Sequence, residues 1–110
     1  MNDELLSMLG LARRAGRLSP GFDAAADAMK KRRACLLLLA NDLSRRTFDA
    51  AVGLAVQNGV EYVRCSYDMQ TLGKAIGRRM TGIISVDDGG FAKKLKAICA
   101  DNRQEECIDD

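Results

Sequence analysis

The chain has no histidine, a single proline, and aromatic side chains at only 5% of its 110 positions. Each scarcity excludes something. Without histidine there is no imidazole for acid–base work near neutral pH and no mixed cysteine–histidine metal site. With so few aromatics, and none interleaved with basic residues on strand-like segments, the stacking platforms of RRM and OB modules are missing. No apolar run approaches the ~20 residues that a membrane-spanning helix requires. The opening Met1-Asn2-Asp3-Glu4 is acidic, and no signal-peptide pattern follows it, so a cytoplasmic protein is expected. Neither G-x-S-x-G nor a Walker A sequence occurs. The sequence therefore predicts a binding protein, with no catalytic residues, cofactor or small-molecule substrate.

Four cysteines are present, Cys35, Cys65, Cys99 and Cys107, and no two form a C-x-x-C pair. Metal sites announce themselves by close ligand pairs, so reduced structural thiols are expected. Cys35 falls in an apolar run and Cys99 on an apolar helix face, which predicts burial for both.

Helix and strand patterns alternate. Leu5, Leu9 and Ala12 share one face of a first helix stopped at Gly16, and Leu18-Ser19-Pro20 fits only a short edge strand. Phe22, Ala25, Ala26 and Met29 recur at helical spacing in a second helix running to about Arg33. The spacing counts Phe22 with the core, although it adjoins the candidate site. Ala34 to Ala40 is continuously apolar, the pattern of a central strand covered on both faces. Ser44 can cap a third helix, Val60 to Cys65 reads as a second major strand, and Ser66 or Asp68 opens a fourth helix ended by Gly77. Gly82 to Val86 is the last strand, and Asp87 or Asp88 caps a final helix. Gly73-x-x-x-Gly77 reads as close helix packing, and Gly89-Gly90 as a tight turn. Residues 1–100 form one domain, an α/β fold with helices on both faces of a largely parallel or mixed sheet. Residues 101–110 form an acidic tail expected to be disordered.

Net charge is +2, but it is unevenly divided. The last ten residues hold five acids and one arginine, which leaves sixteen bases and ten acids before them. A basic body implies a polyanionic partner. Lys30 to Arg33 close the second helix, where the macrodipole favours cations. Arg45 and Arg46 follow the cap Ser44 at the positive end of a helix, where acids are preferred, at a cost of ~0.3–1 kcal/mol. Arg78, Arg79 and Met80 form another basic turn before the last strand. A nucleic-acid phosphate would reverse the sign of that cost.

The runs Leu9 to Gly21, Leu36 to Asp42, Leu72 to Gly77 and Asp88 to Leu95 resemble, in order, four signatures of the bacterial YlxQ proteins. These belong to the superfamily of ribosomal protein L7Ae, whose members bind kink-turn RNA. The resemblance implies a three-layer α/β/α sandwich around a four-stranded mixed sheet. It also implies a structured RNA partner, a kink-turn or ribosomal RNA, and an association with the ribosome. The superfamily's recognition helix begins Gly-x-Asn-Glu-x-x-Lys, and the matching positions are Gly21, Asp23, Ala24 and Asp27. Gly21 is kept and the three base-reading residues are replaced, which implies altered base readout. Together the residues and the resemblance predict an RNA surface at one end of the sheet. Its members are Gly21, Phe22, Asp23, Lys31, Asn41, Arg45, Arg46, Arg78, Arg79 and Met80. A protein-interaction module on the same fold is the alternative.

Overall fold

The computed structural model describes residues 4–107, with side chains as far as Cys99. Five helices and four strands alternate: α1 (Glu4–Arg14), β1 (Leu18–Pro20), α2 (Phe22–Lys30), β2 (Leu36–Leu39), α3 (Arg45–Gln57), β3 (Tyr62–Arg64), α4 (Met69–Ala75), β4 (Ile83–Val86) and α5 (Gly89–Cys107). The strands form one sheet in the order β1-β4-β2-β3. β4 is antiparallel to both β1 and β2, and β3 is parallel to β2, so the sheet is mixed.

The apolar run explains the three layers. Successive strand residues point to opposite faces. Leu36 and Leu38 therefore join the core beneath α1, α4 and α5, while Leu37 and Leu39 join the core beneath α2 and α3. All four leucines are at most 1% exposed, and truncating one to alanine would cost ~2–5 kcal/mol. β1 and β3 are three-residue edges, and β1 carries Pro20 where no ladder donor is needed.

Three expectations change on inspection. Helix α2 stops at Lys30, short of Arg33, because the chain turns left-handed at Arg32, with φ 61°. Arg32 N–H bonds Met29 O and Arg33 N–H bonds Ala28 O, the two closures of a Schellman ending. Cys35 is exposed, because it precedes β2 at the sheet's end, whereas Cys65 and Cys99 are buried. The strand expected over Val60–Cys65 is only Tyr62–Arg64 at an edge, with just Val63 of the three buried. At the C-terminus, α5 carries on from Asp101 to Cys107, across most of the acidic segment; residues 108–110 lie outside the described residues.

Candidate nucleic-acid interface

Strand directions decide which loops meet. β1 runs to Pro20 opposite Ile84, β2 runs to Leu39 opposite Ile83, and β3 runs to Arg64 beside Leu39. The ends of three strands and the start of β4 thus converge at one end of the sheet, here the near end. Gly21, the loop 40–44 before α3, the loop 65–68 before α4 and the return 76–82 all gather there.

Hydrogen bonds tie these loops into one unit. Gly21 N–H donates to Ile83 O at 2.7 Å, and Ala40 N–H to Gly82 O at 2.9 Å. The Asn41 side-chain amide donates to Ser66 O at 2.8 Å, while the Asn41 backbone carbonyl accepts from Arg64 Nη2 at 2.8 Å. Met69 N–H donates to Asp42 Oδ1, and Thr81 N–H to Met69 O. Arg64 also lies over the Phe48 ring, 5.1 Å from its centroid, so a cation and an aromatic fix the flank of α3.

Two glycines are demanded by this packing. Gly21 sits at φ 96°, ψ 157°, a region open essentially to glycine, and turns the chain sharply from β1 into α2. A Cβ on Gly73 would stand 2.7 Å from Arg79 O, so the return segment lies directly against α4. Gly73 therefore packs against the following loop and not against another helix, while Gly77 supplies a left-handed turn at φ 78°.

The helix starts at this end differ. Ser44 caps α3 by accepting from Thr47 N–H, and the first turn of α3 has no acid, only Arg45 and Arg46. Arg45 reaches Asp49 at 3.6 Å across a solvent-exposed turn, whereas Arg46 has no ion pair among the described residues. Gly21 gives α2 no side-chain cap, but Asp23 in its first turn already complements the dipole and repels phosphate. The start of α3 is the better anion site. Asp68 caps α4, and hydrogen bonds from the Thr71 side chain and backbone hold its carboxyl below the ordinary range. Burial pushes the Cys65 thiol up, which keeps it protonated. The Thr81 hydroxyl is buried without a hydrogen-bond partner among the described residues.

Most of the expected site residues meet here. Gly21, Phe22, Asp23, Asn41, Arg45, Arg46, Arg78, Arg79 and Met80 all belong to near-end segments, and every one except half-buried Gly21 is exposed. Phe22 is 38% exposed and Met80 59%, so Phe22 belongs to this surface and not to the core. Lys31 does not belong. It is the C-cap of α2, ~15 Å along the helix from Gly21, and its ammonium pairs with Asp27 at 3.4 Å. Asp27 also reaches Arg33 at 3.5 Å, so its charge serves the far end of α2. Sequence reasoning missed Arg64 and Asp42, which organise the interface from within. The signal for Arg64 was a cation in an apolar strand beside its C-terminal end.

Comparisons with known proteins bear on the family and the fold. The sequence profile of the "Ribosomal protein L7Ae/L30e/S12e/Gadd45 family" matches residues 3–96. The chain is 33% identical over 92 residues to the RNA-binding protein YlxQ of Bacillus subtilis (strain 168), covering 84% of this chain and 91% of that protein. A Bacillus halodurans C protein of unknown function superposes with a TM-score of 0.83 at 29% identity, over 90% of this chain and 99% of the other. The Giardia lamblia 15.5kD RNA binding protein shares the fold, with a TM-score of 0.70 at 18% identity, over 91% of each chain.

Proposed function

The chain belongs to the ribosomal protein L7Ae/L30e/S12e/Gadd45 family, and we propose that it is a cytoplasmic RNA-binding protein that grips structured, kink-turn-like RNA through the near end. The observation carrying this reading is the acid-free start of α3, where Arg45 and Arg46 stand against the helix dipole beside the loop network of Asn41 and Arg64. A phosphate there makes favourable what is unfavourable in the free protein. The similarity to an RNA-binding YlxQ protein supports the same reading. Ribosomal RNA is the partner class this family suggests.

Base readout differs from the family pattern. Asp23 retains an acceptor without a donor, Ala24 offers neither, and Asp27 is committed to Lys31 and Arg33. Each good base contact is worth ~1–3 kcal/mol on the DNA scale, so the affinity rests on phosphate contacts and on Phe22 and Met80 packing against unstacked bases. Those two exposed apolar side chains also suit the second reading, a protein partner docked at the same end.

Titration against a kink-turn hairpin and a plain duplex at two salt concentrations decides between them. Tighter binding to the hairpin, falling steeply with salt, is the expected result. Equal, salt-steep binding to both leaves a general RNA-backbone binder, and no binding at low salt favours the protein partner.

A further inference from the structure

The far end of the sheet, opposite the interface, carries charge that the family reading does not use. Lys30 to Arg33 form four consecutive cations at the end of α2, all exposed. Asp27 pairs with Lys31 and Arg33, and among the described residues Lys30 and Arg32 have no ion pair. Arg32 is also the one non-glycine described residue with positive φ, at 61°, whereas four glycines take the other such positions. A Schellman ending is satisfied best by glycine at that place. Arginine there adds backbone strain and gains nothing within the fold, which is the pattern of a residue kept for an external contact.

The cluster is continuous with a cleft. Arg33 O accepts from the exposed Cys35 thiol at 3.7 Å, and Cys35 opens a cavity of about 250 Å³ lined also by Glu61, Gly89, Lys93 and Lys96. Lys96 is engaged by Glu61, and Lys93 has no ion pair among the described residues. Asp87 and Asp88, in the turn after β4, also lie at this end without an ion pair among the described residues; their carboxylates accept from Ser19, Ser85 and Phe91 N–H, and Lys30, Arg32 and Lys93 outnumber them. An RNA backbone held at one end leaves the other exposed.

We propose that the far end is a second RNA-backbone contact, so that one protein molecule holds two RNA segments, one at each end of its sheet. The inference rests on the RNA reading above and goes beyond it. Recognition at the far end is of phosphate, because the residues offered there, Lys30, Arg32 and Lys93, are cations.

The test loads full-length protein at low salt onto an immobilised kink-turn hairpin, then passes a fluorescent plain RNA duplex over it. Wild type captures the duplex. Lys30→Ser/Arg32→Gly loads the hairpin equally and captures at least tenfold less duplex. Arg32→Gly alone melts higher than wild type, because glycine relieves the strained position, and still captures less. Wild type that loads the hairpin but captures nothing, or capture undiminished in the double variant, overturns the proposal and leaves the near-end reading intact. Failure to load either RNA overturns both.

Discussion

At the far end of the sheet the cations that close α2 sit where a helix favours them, and at the near end those that open α3 sit where it does not. Lys30 lies in the last turn of α2, against the negative pole of its dipole. Arg45 and Arg46 lie in the first turn of α3, against the positive pole, with no acid in that turn. The loops differ as well. Near-end loops are cross-bonded through Asn41, Asp42, Arg64 and Thr81, while the far-end turn after α2 is closed by its own backbone. Charge of one sign can therefore arise from fold stability or against it, and only the second kind points directly to a ligand. Arg32 matters because it is the far-end residue that breaks this division.

The largest break in the comparison comes from Gly73. Gly73→Ala places a methyl against the Arg79 carbonyl and displaces the near-end return segment. The expected cost is ~1–3 kcal/mol, with a fall in Tm and in RNA affinity together. Gly53→Ala, with open space around the added methyl, is the control and stabilises by ~0.5–1 kcal/mol. Chemical denaturation of both variants reads the difference directly.

A smaller effect sharpens the charge contrast. Arg46→Gln raises stability by ~0.3–1 kcal/mol, while Lys30→Gln lowers it by a similar amount, because glutamine matches both in helix propensity. Arg46→Gln also flattens the salt dependence of RNA binding by ~0.7–0.9 in log–log slope. Opposite signs in thermal melts would support the assignment, and equal signs would refute it.

The smallest effect is a pH dependence at the near end. The folded pKa of Asp68 is depressed by its bonds from Thr71, so its stabilising contribution is complete above the ordinary carboxylate pKa. It is lost as pH falls through the lower folded value. The Thr71 amide resonance should follow that titration in wild type and lose it in Asp68→Asn.

The core was legible in the amino-acid sequence because burial leaves a plain trace. Leu36 to Leu39 read as a doubly covered strand, and Ser44 as a cap, since both follow from local pattern. Most of the residues expected at the site meet, because the loops that hold them all lie at one end of the sheet. What failed was position along a helix and at its ends. Lys31 shares α2's neighbourhood with Gly21 in sequence, yet three turns of helix carry it to the opposite end. Phe22 has core spacing, but at the first residue of α2 there is no neighbour above to cover it. Arg32's left-handed turn left no signal, because the residue that announces such turns is glycine. Arg64 and Asp42 act through tertiary contacts with residues 23 and 27 positions away, beyond the reach of local pattern.

The strand order β1-β4-β2-β3 also sets a timetable. β1 and β2 never pair with each other; each pairs with β4, the last strand to be synthesised. Gly21 is tied to Ile83, and Ala40 to Gly82. A growing chain can therefore form helices early, but the ties from Gly21 and Ala40 to the start of β4 wait until that strand is made. The same late strand that completes the sheet completes the end proposed to bind RNA.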